Sequence, residues 1–443
     1  MSFNSLDLPD YLLQALDKLS YEEPTAIQSQ AIPLILAGRD LAAEAQTGTG
    51  KTAAFALPVI KKINDLPPKK KKISVLSLVL VPTRELALQV AASYKAYAEF
   101  SPSKIKVLSV IGGERIEDQI RGLRMGLDIV VATPGRVLEL IERQEIRLFE
   151  LEILVLDEAD KMLDLGFSEE LTKLLTILPA KRQTLLFSAT LPQKVVELSE
   201  KILNEPVRVS IDSDQPTVEA IQQRVIRVNR GNRRPLLSQL LTSESWTQVM
   251  VFVVSKRAAR NLALKLTRDG HSAAGFHGDL DQSERIKVLK GFKNKEVNIL
   301  VATDIACRGI DIDKLSCVIN YDLPRSPKDY VHRIGRTGRA GESGVAISFI
   351  DYETEAHFKL IEKRAEISLD QEEIEGFELT GEASEEKKGP APVKGKGKSK
   401  KDKLREKEAK KAKAEVKPEV NAEVKPEVKA EDKPEVKAED KAE

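Results

Sequence analysis

Two short segments hold the residues best suited to chemistry: Ala45 to Thr52, reading Ala-Gln-Thr-Gly-Thr-Gly-Lys-Thr, and Asp157 to Asp160, reading Asp-Glu-Ala-Asp. The first follows the phosphate-cradling pattern G-x-x-x-x-G-K-[ST] except at its start, where Ala45 replaces the first glycine. Apolar Leu41 to Ala43 reads as a strand before it and Thr52 to Leu57 as a helix after it. The loop Ala45, Gln46, Thr47, Gly48, Thr49 and Gly50 would therefore open a helix whose amides face the phosphates of a nucleotide. Gly48 and Gly50 allow the backbone close to that ligand. Lys51 would sit as a point charge at the β- and γ-phosphates, and the Thr52 hydroxyl would be a ligand for Mg2+. A Gly-Lys-Thr triplet alone is equally compatible with a plain turn before a helix, so a second signal has to decide.

The second segment supplies it. Ile153 to Leu156 is a short apolar run suited to a buried parallel strand, and it ends on Asp157 and Glu158. Open α/β sheets bind their ligands at that end of their strands. Asp157 would hold Mg2+ through water, and Glu158 would orient and deprotonate the attacking water. The alternative, a solvated acidic turn capping the next helix, loses ground once a phosphate loop precedes it. Together the segments imply binding and hydrolysis of a nucleoside triphosphate.

The 443 residues leave room for two domains and a tail. Apolar runs at Leu78–Val81, Asp128–Ala132, Ile153–Leu156 and Thr184–Phe187 alternate with helix-length segments such as Arg84–Glu99. That alternation predicts an α/β domain with a parallel sheet, covering residues 1–210. A second series, Val249–Val254, Asn298–Ala302, Cys317–Tyr321 and Val345–Phe349, with a helix expected over Ser255–Arg268, predicts another such domain over 218–375. Polar, Pro-containing residues 211–217 read as the linker between them. The second series has no phosphate loop of its own, which suits a moving partner in a shared active site.

The net charge of +1 hides blocks: 387–413 holds 13 Lys/Arg against 3 Asp/Glu, 414–443 holds 6 against 10, and the body is acidic by 5. Bulk positive charge is therefore not what would attract a ligand to the body. Residues 376–443 form a tail expected to stay disordered, with no aromatic residue after 387 and an octapeptide of the form A-E-[VD]-K-P-E-V-[NK] repeating from Ala414 to Lys437. It reads equally as a solubilising tail and as one that catches RNA through its basic 387–413 block. Cys307 and Cys317 have no metal-ligand spacing and read as reduced packing residues. No leader or membrane-length apolar run occurs, so a cytoplasmic protein with no membrane partner is expected.

Taken in order, further segments resemble the DEAD-box ATP-dependent RNA helicases. They are Pro24–Gln28, the phosphate loop, Pro82–Leu86, Gly112-Gly113, Thr133–Arg136, Asp157–Asp160, Ser188–Thr190, His277–Asp279, Gln282–Arg285, Ala302–Asp304, Arg308–Asp311 and His332–Arg339. The resemblance spans about residues 1 to 350 and is nearest to the bacterial RhlE-like subgroup. It implies two RecA-like domains in tandem, with ATP and Mg2+ as cofactors and RNA as partner. Gln28 would read the adenine edge and Phe3 would stack on the ring. Arg336 and Arg339 would be arginine fingers, Asp311 would reach the ribose, and Ser188 and Thr190 would couple hydrolysis to unwinding through Asp160 and His332. Arg84, Gly112, Gly113, Thr133, Pro134, Gly135, Arg136, Gln282, Arg285 and Thr303 form the implied RNA-facing set. Hydroxyls, glycine amides and guanidinium groups suit backbone contact rather than base reading. The chain departs from the family at Ser20-Tyr21, where Gly-Phe is usual, and at Cys307, where a small residue is usual.

The resulting expectation is RNA-stimulated ATP hydrolysis coupled to local, non-processive unwinding of short duplexes or remodelling of ribonucleoprotein. The tail could recruit ribosomal or RNA-decay proteins. The other readings are an ATP-gated RNA clamp or annealing scaffold, and a DNA translocase.

Overall fold

The computed structural model describes residues 2–46, 48–66, 75–211, 221–307, 310, 312, 315–338 and 344–381. In the first lobe a 3-10 turn, Phe3–Leu6, leads into α1 (Asp10–Lys18), α2 (Ala26–Leu36), β1 (Leu41–Glu44), α3 (Lys51–Asp65), β2 (Ser77–Leu80) and α4 (Arg84–Tyr97). It continues through β3 (Val107–Val110), α5 (Ile116–Arg124), β4 (Ile129–Ala132), α6 (Pro134–Glu142), β5 (Ile153–Leu156) and α7 (Ala159–Asp164), then α8 (Ser168–Ile177), β6 (Gln183–Ser188), α9 (Gln193–Ile202) and β7 (Val207–Ser210). The second lobe comprises β8 (Ile221–Arg227), α10 (Arg233–Ser243), β9 (Val249–Phe252), α11 (Lys256–Arg268), β10 (Ala273–Phe276), α12 (Gln282–Lys293) and β11 (Ile299–Ala302). It closes with α13 (Asp304–Cys307), β12 (Cys317–Asn320), α14 (Pro327–Ile334), β13 (Gly344–Ile350), α15 (Glu355–Ala365) and β14 (Gln371–Glu372).

Each lobe is a seven-stranded, all-parallel sheet, ordered β3-β4-β2-β5-β6-β1-β7 and β10-β11-β9-β12-β13-β8-β14. The central strands are apolar along their length because helices cover both faces. Within β2, Leu78 and Leu80 enter one hydrophobic core while Val79 enters the core on the opposite face. Register places the carboxyl ends of β1, β6, β5 and β2 side by side: Glu44 pairs with Ser188, and Leu80 with Leu156. The loops carrying the predicted chemistry therefore leave the sheet along one edge.

The strands that sequence expectation passed over lie mainly at the sheet margins. β3, β7, β10 and β14 are only partly buried, so their residues are not continuously apolar. Ordered structure also runs past residue 375, the expected end of the second domain. Ile374 and Phe377 pack against the second-lobe core, and Asn229 Nδ2 donates to Thr380 Oγ1 at 2.7 Å. Residues 212–217 of the expected linker and residues 382–443 of the tail lie outside the described residues. No helix among the described residues is long and apolar enough to cross a membrane. Both cysteines are buried, and burial pushes the Cys307 thiol up to about 12.

Candidate active site

The phosphate loop continues β1: the Ala45 amide donates to Ser188 O at 3.0 Å before the chain turns into α3. Gly48 and Gly50 adopt φ of +87° and +90°, which side chains disfavour. A Cβ on Gly50 would come within 2.4 Å of Gln28 Nε2. Lys51, the first residue of α3, is buried and folds back so that Nζ donates to Ala45 O at 2.8 Å. Thr49 Oγ1 donates to Gln46 O at 2.8 Å. Thr52 follows Lys51 on the first turn of α3, and Thr47 lies outside the described residues.

Gln28 stands on α2 beside this loop, held by a capping box with Thr25. Its Oε1 accepts from the Thr25 amide at 3.0 Å and its Nε2 donates to Gly50 O at 3.1 Å. A primary amide still has a donor and a lone pair to spare after these bonds. Phe3 lies in the 3-10 turn against α2 with its ring packed in the first-lobe core, 5% exposed.

At the tip of β5, Asp157 is buried and its Oδ1 accepts from the Glu158 amide at 2.9 Å. Burial raises the Asp157 carboxyl to about 6 against the opposing pull of Lys51, with nearby Glu158 raising it further. Glu158 takes a left-handed conformation (φ +55°) as the N-cap of α7. Its Oε1 accepts from Lys161 Nζ at 2.5 Å, and its buried Oε2 has no partner among the described residues. Thr52 and Asp157 offer only oxygen, the donor set of a hard cation that keeps water and phosphate as its remaining ligands.

Asp160 connects this corner to the end of β6. Its amide donates to Ser188 Oγ at 3.3 Å, and Thr190 Oγ1 donates to its Oδ2 at 3.1 Å. Ser188 Oγ in turn donates to Thr190 O at 2.6 Å. His332 lines the same cleft, but no hydrogen bond joins it to Ser188, Thr190 or Asp160 among the described residues. Surrounding protein lowers the His332 pKa, and Lys328, Lys161 and Arg336 lower it further.

The cleft, about 570 Å3, is lined from the first lobe by Gln46, Asp160 and Thr190 and from the second by His332 and Arg336. Arg336 Nη1 donates to Ile310 O at 2.9 Å. Arg333, three residues earlier, faces inward. Its Nε and Nη2 hold Asp304 at 2.6 and 2.7 Å, and its Nη1 donates to Asn320 Oδ1 and Asp322 O. Arg339 and Asp311 lie outside the described residues.

The residues expected to face RNA gather at helix N-termini. A Cβ on Gly113 would meet Arg84 Nη1 at 2.2 Å, so the guanidinium rests against the Gly112-Gly113 turn. Thr133 caps α6, Pro134 is its first residue, Gly135 is exposed, and Arg136 Nη2 donates to Glu114 O at 3.2 Å. Thr303 is buried just before α13. Gln282 and Arg285, on the first turn of α12, are buried against Glu85 of the first lobe. Arg285 Nε donates to Glu85 Oε1 at 2.6 Å, and Gln282 Nε2 reaches the same oxygen at 3.5 Å. The sequence reading gave Glu85, Arg333 and Lys161 no role; an acid in a helix's first turn and cations on helices ordinarily read as solvated charge.

Two parallel-sheet lobes sharing one phosphate loop, with an arginine from the second lobe in the cleft, define a two-lobed RecA-like ATPase. Residues 25–198 match the DEAD/DEAH box helicase model, and residues 231–341 match the helicase conserved C-terminal domain. The DEAD-box ATP-dependent RNA helicase CshA of Geobacillus kaustophilus is 43% identical over 349 residues, covering 79% of this chain and 73% of that protein. Its counterpart in Bacillus subtilis is 41% identical over 370 residues, 84% of this chain and 74% of that one. Among solved structures, S. cerevisiae Dbp5 bound to RNA and ADP BeF3 matches with a TM-score of 0.73 at 32% identity, over 84% of this chain and 95% of that one. The chain belongs to the DEAD-box family of ATP-dependent RNA helicases and is an ATP-hydrolysing enzyme.

Proposed function

We propose that the two lobes close on ATP and RNA together, separate short duplexes locally without long translocation, and release RNA after hydrolysis. The observation that carries this reading is the shared cleft, in which Asp160 and Thr190 of one lobe face His332 and Arg336 of the other. Lys51 holds the phosphates, Glu158 orients the attacking water and takes its proton, and Arg336, with Arg339, offsets charge developing on the γ-phosphate. Gln28 selects adenine, with Phe3 supporting it and Asp311 reaching the ribose. Ser188, Thr190, Asp160 and His332 couple the nucleotide to the lobe arrangement. Mg2+ would be held by Thr52 and Asp157 and would neutralise phosphate charge when bound. The oxygen-only donors and the buried, electrostatically strained Asp157 carboxyl support that placement.

RNA is held by its backbone through Arg84, Gly112, Gly113, Thr133 to Arg136, Gln282, Arg285 and Thr303, with the site of action in the cytoplasm. Residues 376–443 are the segment through which ribosomal or RNA-decay proteins would be recruited. The relatives reported above are CshA helicases, so within the family we place this chain nearer to them than to the RhlE-like subgroup that its sequence first suggested.

The test is steady-state ATPase without nucleic acid, with single-stranded RNA and with matched DNA, for the native chain and Glu158→Gln. RNA-specific stimulation, with turnover falling by orders of magnitude in the variant while ATP and RNA still bind, is expected. Indifference to RNA, stimulation by DNA, or unchanged turnover in Glu158→Gln would each defeat the reading.

A further inference from the structure

Lys161 is a partly buried cation that the roles above leave unused. It sits three residues after Glu158, one turn along α7, with the two side chains only 13% and 5% exposed and 2.5 Å between Nζ and Oε1. Asp164, a further turn along α7, lies 3.8 Å from Lys328 Nζ of the second lobe. Lys161 also lines the cleft together with His332, Lys328 and Arg336. A carboxylate engaged this closely by an ammonium has its rotamer restrained and one lone pair of that oxygen occupied. The other oxygen, Oε2, is buried without a partner among the described residues.

We propose that Lys161 is a latch on Glu158, a positioning residue that holds the catalytic carboxylate in an unproductive rotamer until the lobes close. The proposal rests on Glu158 being the base. Lys328 and Arg336 share the cleft with Lys161, so closure that tightens it raises the repulsion on the ammonium while the nucleotide phosphates offer it a competing anion, and both effects favour release of the carboxylate. Lys161 thus suppresses hydrolysis in the absence of RNA. It takes no part in the transfer of the proton.

The test compares Lys161→Met, Lys161→Arg, Glu158→Gln and the Glu158→Gln/Lys161→Met double variant as full chains. In Lys161→Met, kcat without RNA should rise about tenfold, the size of one lost charge-assisted hydrogen bond. The KM for ATP and the RNA-saturated kcat should hardly move, and Lys161→Arg should behave as the native chain. Thermal unfolding without nucleotide supplies a second readout. Lys161→Met should lower the midpoint by leaving Glu158 unpaired, and should do so much less in the Glu158→Gln background. A falling or unchanged RNA-free kcat, or the same midpoint drop in both backgrounds, would overturn the latch. If Glu158→Gln itself turned over at the native rate, the assignment of the base would fail first and the latch with it.

Discussion

Arg333, near the end of α14, and Arg336, just past it, stand three residues apart, and the structure assigns them opposite tasks, which can be separated by removing each. Arg333 is 3% exposed and makes four short bonds: two to Asp304, at 2.6 and 2.7 Å, one to Asn320 Oδ1 at 2.9 Å and one to Asp322 O at 2.7 Å. Its guanidinium also lies 4.7 Å from the centre of the Phe252 ring. It therefore ties α14 to the start of α13 and the end of β12. Arg333→Ala would strand a carboxylate and a buried amide, a loss of about 3–5 kcal/mol by the usual cost of breaking such a pair. In a lobe of this size each kcal/mol lowers the unfolding midpoint by about 2–4 °C, so a drop on the order of 10 °C is expected. Arg333→Lys keeps the charge but not the fork, and should fall between. Arg336 faces the cleft and holds Ile310 O at 2.9 Å, so Arg336→Ala should cost about 1 kcal/mol of stability. Its ATPase should collapse while ATP affinity is largely kept. The assay is thermal unfolding followed by circular dichroism, beside steady-state ATPase on the same preparations. Equal midpoints for Arg333→Ala and the native chain would refute the anchoring argument, and a pure affinity defect in Arg336→Ala would refute the finger role.

Two further predictions test the nucleotide pocket and its surroundings. Gly50→Ala places a Cβ 2.4 Å from Gln28 Nε2 at a φ of +90°, so it should displace Gln28 and weaken binding of a fluorescent ATP analogue by about tenfold or more, given about 1–2 kcal/mol for the backbone alone; unaltered affinity would show that Gln28 is not held for the nucleotide. Ser20 sits left-handed (φ +59°) where α1 ends with the Tyr21 amide bonded to Leu16 O. Ser20→Gly should therefore stabilise the first lobe by up to about 1 kcal/mol, and a lowered unfolding midpoint would contradict the strain assigned there.

Legibility from sequence followed burial. Strands covered on both faces, such as Ile153–Leu156 and Ile299–Ala302, are apolar at every position and announce themselves. Val207–Ser210 at a sheet margin buries only Val209 and alternates with charge, so nothing in its composition separates it from a loop. The phosphate loop was readable because its chemistry is local, with donor, charge and hydroxyl adjacent in the chain. The anchoring task of Arg333 is not legible, since the carboxylate, amide and carbonyl that claim it lie 11 to 29 residues away. Glu85 was opaque for the same reason, its cation lying 200 residues along the chain. Phe377 is a lone aromatic in a polar stretch, and only the fold shows that it packs against the second-lobe core.

Adjacent residues in this fold serve different neighbours, which limits how nucleotide and RNA can act independently. On the first turn of α4, Arg84 rests on the Gly112-Gly113 turn while Glu85 reaches across to α12. On α12, Arg285 is gripped by Glu85, by His277 O at 3.2 Å and by Ala306 O at 3.3 Å, and its guanidinium lies 4.3 Å from the centre of the Phe276 ring. A ligand that moves Arg84 or Gln282 thus acts on a contact between the lobes as well as on its own binding. At the cleft, Asp160 receives Thr190 while Asp164, one turn later, approaches Lys328. Each ligand can bias the lobe arrangement only by the difference in its contacts between arrangements. The bridging residues are where those differences arise. Coupling of this kind is reciprocal: whatever ATP contributes to RNA affinity through the lobe arrangement, RNA must return to ATP affinity in equal measure.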